Sequence, residues 1–202
     1  MSSSPAHLVP LLLQAHHLSG GPAGHMAIED LSFAWSAGLH WVCGDEGSGK
    51  TSLLRLLAGD LQPLAGTLQT PQGGVFWVDL KGPEHDQTTV QACWDQLQTR
   101  YPQWHNELLQ DLSEALDMER HRHKPLYMLS TGSRRKVWLT AALAAGAPLT
   151  LIDQPFASLD AVSAGFLGEV LQDLSGHPKR AWWVADHTVP DGTPATRVVA
   201  LL

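Results

Sequence analysis

Basic charge is scarce in this chain. Thirteen lysines and arginines stand against twenty aspartates and glutamates, a formal net charge of −7. With no basic run, there is no electrostatic footprint for nucleic acid or anionic lipid. Cysteine is scarcer still. Cys43 and Cys93 are the only two, which gives neither a disulfide framework nor a metal-ligand spacing and fits a reducing, cytoplasmic compartment. Long apolar runs are also missing. The longest, Val137 to Ile152, contains Gly146 and Pro148 and reads as a helix followed by a buried strand. The run Leu8 to Leu13 is broken by Pro10 and lacks the basic flank of an export signal. No direct membrane insertion is expected, so any membrane function must come through a partner. There is no internal repeat and no low-complexity linker. At 202 residues, 44% hydrophobic and 16% charged, the chain reads as one α/β domain over residues 1–202.

Against these absences stands one sharp motif. Gly44-Asp45-Glu46-Gly47-Ser48-Gly49-Lys50-Thr51 fits the G-x-x-x-x-G-K-[ST] pattern. Glycines let the backbone curl so that successive N–H groups and a helix N-terminus, reaching Ser52, face phosphate oxygens. Lys50 adds positive charge, and the Thr51 hydroxyl can reach Mg²⁺. The flanks suit this reading. Leu39 to Cys43 has the character of a buried strand, and Lys50 to Ala58 is a strong helix former that Gly59 ends.

The second half of the chain adds polar tips to apolar strands. Leu149 to Ile152 is an apolar run ending in Asp153, which predicts an acid at the C-terminal tip of a buried parallel strand, placed to hold Mg²⁺ through water. Ser158-Leu159-Asp160 opens a helix whose apolar positions, from Val162 to Leu174, keep helical spacing. Ala181 to His187 is another buried strand, and it predicts His187 beside Asp153, near a terminal phosphate.

Taken together, these segments resemble the ATP-binding cassette (ABC) ATPase domain over nearly the whole chain. Gly44 to Thr51 is similar to its Walker A segment, Leu129-Ser130-Thr131-Gly132-Ser133 to its LSGGQ signature, and Leu149 to Asp153 to Walker B. Ser158, Leu159 and Asp160 resemble the D-loop and His187 the switch histidine, all in family order. The resemblance implies an α/β P-loop NTPase fold of ABC type: a mainly parallel sheet with an antiparallel β lobe and a small helical lobe at about 81–128. It implies ATP and Mg²⁺ as cofactors. Two domains, in a homodimer or a heterodimer, would pack head to tail with ATP between the Walker A of one and the signature of the other. Ser130 and Gly132 would then offer donors to the partner's γ-phosphate. An integral-membrane transporter subunit is the implied partner, which puts the chain in the cytoplasm at the inner face of the membrane. Compact bacterial importers and exporters, including the cytochrome c maturation haem exporters, look most similar.

Departures from the family pattern carry the most chemistry. Where the family places a catalytic glutamate after the Walker B aspartate, this chain has Gln154, whose amide orients water but cannot accept its proton. Catalysis would rest on Gln154, His187 and Lys50. Thr131 and Ser133 replace a signature glycine and the signature glutamine. Asp79 follows Val75 to Val78, read as a strand, where the family has a glutamine; with Thr51 and Asp153 it completes the expected Mg²⁺ ligands. No Phe, Tyr or Trp lies between Ala15 and Ser32, where the family stacks an aromatic on adenine; His17 and His25 are the available substitutes.

Residues 81–128 read as helical. Val90, Cys93, Trp94, Leu97 and Tyr101 form one stripe, and Trp104, Leu108, Leu109, Leu112 and Leu116 another. Among the eight tryptophans, those at the edge of this lobe are candidates for a groove that receives a membrane subunit. His121-Arg122-His123 invites a metal reading, but spacing of two on a helix points the rings apart. Two functions remain: a transporter motor that hydrolyses ATP slowly, and a nucleotide-dependent dimerisation switch with little or no hydrolysis. A nucleotide kinase lacks any acceptor site here.

Overall fold

A computed structural model of the chain describes residues 11–23, 25–78, 85–193 and 197–201. The antiparallel lobe comes first along the chain. Strands β1 (Leu13–Gly20) and β2 (Ile28–Trp35) pair, and β4 (Ala65–Gln69) later takes the other edge of β1. Leu13, Ala15 and Leu18 are buried. The register slips between Ala15 and Leu18, at His17, whose φ is 50° and whose N–H donates to Ser32 Oγ at 2.8 Å. This bulge lets both Ala15 and Leu18 face inward despite an odd spacing.

Five parallel strands form the second sheet. Along the chain these are β3 (Gly38–Cys43), β5 (Val75–Phe76), β6 (Leu149–Asp153), β7 (Ala181–Asp186) and β8 (Arg197–Ala200), in the spatial order β5-β6-β7-β3-β8. The three central strands are buried up to their last residue, because helices and the antiparallel lobe cover both faces. Helix α1 (Lys50–Ala58) lies between the two sheets, with Leu53, Leu54, Leu56 and Leu57 packed against Leu13, Leu149 and Trp183. On the opposite face, Leu139 and Leu143 of α4 (Thr131–Ala144) and Leu167 and Leu171 of α5 (Ala161–Leu174) cover Trp41, Trp182 and Val184. The expected strand over Val75–Val78 contracts to two residues. As the sheet edge, β5 has β6 as its one strand neighbour, and the Trp77 indole N–H turns away to donate to Asp60 Oδ2 at 2.8 Å.

The helical lobe holds α2 (Val90–Arg100) and α3 (Asn106–Ala115). The first stripe packs as its periodicity requires: Val90, Cys93, Trp94 and Tyr101 are buried against Phe76, Val137 and Trp138. The Trp94 indole donates to Val137 O at 3.0 Å and the Tyr101 hydroxyl to Val75 O at 3.1 Å, fastening the lobe to the sheet. In the second stripe, Leu109, Leu112 and Leu116 are buried, but Leu108 is exposed.

Candidate nucleotide site

The phosphate loop is built from strand, turn and helix in the order that the spacing dictates. β3 delivers the chain to Gly44, and α1 starts at Lys50 directly after Gly49, whose φ of 97° suits glycine. A Cβ on Gly49 would stand 2.6 Å from the Ala27 carbonyl oxygen, so the close approach of the β2 entry strand to the loop also demands glycine. Lys50 is nearly buried, and its ammonium donates to Gly44 O and Asp45 O, both at 2.6 Å. That holds Lys50 Nζ against the loop itself.

The loop meets the sheet through Thr51, whose hydroxyl donates to Asp153 Oδ2 at 2.6 Å across 102 residues of sequence. Asp153 ends β6, so the strand tip and the first helical turn bring a hydroxyl and a carboxylate together. A cavity of about 460 Å³ opens beside them, lined by His25, Ala27, Glu46, Gly47, Gly49, Lys50, Thr51, Ser52 and Gln154. Ser48 Oγ is buried in the loop without a hydrogen-bond partner among the described residues. A cavity of this size, a cation, a helix N-terminus and the Thr51–Asp153 oxygen pair fit a nucleotide with its divalent ion.

Gln154 sits at φ 48°, a left-handed conformation uncommon for any residue but glycine, asparagine or aspartate. Its N–H donates to Ala185 O of β7 at 2.7 Å, and its carbonyl accepts from the Arg135 guanidinium. His187 is placed differently from the sequence expectation. Asp153 lies opposite Ala185, while His187 stands one residue beyond β7, exposed, and is not part of the cavity lining. Its N–H donates to Asp186 Oδ1 at 2.8 Å. Asp79 lies outside the described residues.

The signature residues and the D-loop residues form a second cluster. Ser130 caps α4, its Oγ accepting from the Ser133 N–H at 3.2 Å and donating to Ser133 Oγ at 3.0 Å. Thr131 opens the helix, and Gly132 lies so close to the D-loop that a Cβ there would stand 2.3 Å from Ser158 O. Asp160 caps α5 through the Ser163 N–H at 2.9 Å and also accepts from Lys136 Nζ at 2.7 Å. The Lys136 hydrogen bond, followed by those from Ser163, holds the Asp160 carboxyl well below the usual carboxylate range. Leu159 N–H closes the turn on Phe156 O at 3.2 Å. Of the two histidines considered for the base, His25 lines the cavity, whereas His17 Nδ1 is paired with Asp30 Oδ1 at 2.6 Å, exposed on the antiparallel lobe. Sequence reasoning passed over Arg135. Its only signal was a basic residue one turn into the helix after the signature.

Fold and site together define a P-loop nucleotide-binding protein in which the Ser130–Ser133 and Ser158–Asp160 segments form a second cluster. Comparison with known proteins narrows this class. The ABC transporter family profile matches residues 28–157, from β2 through the Walker B segment. The cytochrome c biogenesis ATP-binding export protein CcmA of Brucella abortus (strain 2308) is 30% identical over 170 residues, covering 80% of this chain and 79% of the relative. CcmA of Pseudomonas putida is 31% identical over 162 residues, covering 74% and 77%. Among solved structures, an ABC transporter ATP-binding protein from Pyrococcus furiosus superposes with a TM-score of 0.75 at 22% identity, covering 94% of this chain and 96% of that one. MJ1267, an ATP-binding cassette of an ABC transporter seen in its ADP conformation, gives 0.66 at 15%, covering 90% and 83%. The chain belongs to the ABC transporter family as one of its ATP-binding subunits, an ABC-type ATPase. Among the described residues, no helix is long and apolar enough to cross a membrane.

Proposed function

We propose that this subunit binds MgATP in a head-to-tail dimer, hydrolyses it slowly, and drives an export step of the kind for which its CcmA relatives are named, through an integral-membrane partner. The observation that carries the nucleotide reading is the Thr51–Asp153 contact at 2.6 Å beside the phosphate-loop cavity. Thr51 and Asp153 would hold Mg²⁺, and Lys50 would exchange its loop carbonyls for phosphate oxygens. Bound MgATP supplies the phosphoryl group whose transfer to water reopens the dimer. Gln154 would orient that water through its amide, with no basic atom to take the proton. Ser130 and Gly132, at the start of α4, would close on the nucleotide held by the other protomer.

A cleft of about 440 Å³ between lobe and sheet suits the membrane partner. It is lined by Trp77 and Trp138 with Arg55, Arg100 and Gln96. Indole and guanidinium surfaces are the side chains that anchor protein interfaces. A dimerisation switch with little turnover is the second reading, and Gln154 is the observation that favours it.

The test measures phosphate release by the native chain and by Gln154→Glu under saturating MgATP. General-base help contributes about 10²–10⁴ in rate, so native turnover should be slow and the glutamate variant clearly faster. Brisk native hydrolysis that the glutamate leaves unchanged would sink the slow-turnover reading. Turnover absent from both forms, with dimerisation intact, would select the switch.

A further inference from the structure

The first two turns of α4 touch the Walker B tip and the D-loop at three places. Gly132 abuts the Ser158 carbonyl, Lys136 is paired with Asp160 at 2.7 Å, and Arg135 reaches between them. The Arg135 guanidinium donates through Nη1 to Asp153 O at 3.2 Å and to Gln154 O. These carbonyls belong to the two peptide groups that flank the left-handed residue Gln154. From there the contact continues, since Asp153 accepts the Thr51 hydroxyl of the phosphate loop. A left-handed glutamine costs free energy relative to an ordinary strand exit. Two anchors offset it: the Gln154 N–H on Ala185 and the Gln154 carbonyl on Arg135. The first belongs to the sheet and is fixed. The second arrives from the helix that begins at the signature.

We infer that Arg135 is a positioning residue: it holds Gln154 in its left-handed conformation and transmits the state of the signature, Ser130 to Ser133, to this protomer's own Walker B tip and phosphate loop. In the head-to-tail dimer proposed above, the signature touches the nucleotide of the other protomer, so the same contact couples the two sites. That coupling rests on the proposed dimer. The positioning role rests on this chain's geometry alone. Arg135 is half-buried, and its guanidinium reaches two backbone carbonyls at once. A lysine should therefore keep part of the contact, and an uncharged side chain none.

The experiment uses the full chain as native, Arg135→Lys, Arg135→Met and Ser130→Arg. Amide hydrogen exchange is followed in peptides covering Asp153 to Asp160, with and without MgATP, alongside MgATP affinity and phosphate release. Without nucleotide, Arg135→Met should speed exchange at the Gln154 amide, with Arg135→Lys intermediate and β3 and α1 peptides unchanged. With MgATP, the native segment should slow its exchange further on dimerisation than in the monomer, and both Arg135→Met and Ser130→Arg should lose that additional slowing. MgATP affinity of Arg135→Met should stay within about threefold of native while turnover falls about tenfold to a hundredfold, the size of a misplacement effect. Unchanged exchange at Gln154 in nucleotide-free Arg135→Met overturns the positioning role. Dimer-dependent slowing that survives in Arg135→Met, or slowing in Ser130→Arg equal to native, overturns the coupling. A native chain that fails to dimerise with MgATP removes the head-to-tail reading, and the nucleotide-free comparison still decides the role of Arg135.

Discussion

Gly132→Ala sets two physical effects of opposite sign against each other. Gly132 lies inside α4, where alanine ordinarily stabilises a helix by about 0.5–1 kcal/mol through lower backbone entropy in the unfolded chain. Here the added Cβ would stand 2.3 Å from Ser158 O and 3.4 Å from Ser158 C. The obstacle is backbone, and it belongs to a residue already at φ 63°. To reach van der Waals contact the D-loop must retreat by about 1 Å, and overpacking of this kind costs about 1–3 kcal/mol. The clash should win. A matched control sits in α5: Gly165 is exposed and a Cβ there meets nothing within 4 Å, so Gly165→Ala keeps only the helix gain. Thermal unfolding reads both, with about 2–4 °C per kcal/mol for a chain of this size. Gly165→Ala should raise Tm by a few degrees, whereas Gly132→Ala should lower it and weaken MgATP-driven dimerisation. If Gly132→Ala is as stabilising as Gly165→Ala, the signature and the D-loop are not in the contact described.

Three further outcomes follow from individual side chains. Lys50→Ala removes an ammonium from the loop, and with charge-assisted hydrogen bonds contributing about 1.5–3 kcal/mol each, calorimetry should show MgATP affinity falling at least tenfold while circular dichroism keeps the native spectrum. Ser130→Arg places a bulky cation at the α4 cap, and light scattering should show no MgATP-induced dimer, although monomer binding of MgATP remains. His40 is buried between Trp35 and Trp183, with Nε2 on Ser36 O at 2.9 Å, and burial, ahead of its other influences, lowers its pKa below the ordinary 6.5. The unfolded chain then binds a proton that the folded chain resists, so the contribution is present above about pH 6.5 and is lost as pH falls through it, at up to about 1.4 kcal/mol per pH unit. Thermal melts from pH 7.5 to 5 should show a steeper loss for the native chain than for His40→Gln.

Local rules made the phosphate loop, α1 and its Gly59 stop, the Asp160 cap and the first lobe stripe readable, because each is fixed by residues within one or two turns. Asp153 was readable as a strand tip, and the loop pattern implied what it faces. Other features depend on contacts between distant segments. The slip of β1 at His17 is set by pairing with β2, and the shortness of β5 by its place at the sheet edge. The exposure of Leu108 follows from how α3 rolls onto α4, which spacing alone leaves undetermined. Arg135 was invisible for a related reason. A long cationic side chain in a helix looks solvated in sequence, and only the fold shows two carbonyls within its reach.

Where residues differ from the pattern expected in sequence, the backbone contacts around them are in place. Thr131 and Ser133 stand where glycine and glutamine are expected, yet Ser130 still caps α4 through the Ser133 N–H, a contact that any residue but proline can make at position 133. Gln154 stands where a glutamate is expected, yet its position depends on its own N–H and carbonyl, bonded to Ala185 and Arg135, so neither anchor depends on which side chain stands there. On the proposed reading the two kinds of change separate. Assembly depends on backbone donors, helix caps and the Lys136–Asp160 pair, none of which involves the Gln154 side chain. Turnover depends on the atom type at the tip of the Gln154 side chain, an amide with no basic atom. Gln154→Glu should therefore change the rate of phosphate release without changing the MgATP concentration needed for dimerisation. A variant that shifts both together would mean that the side chain at 154 also holds the dimer closed.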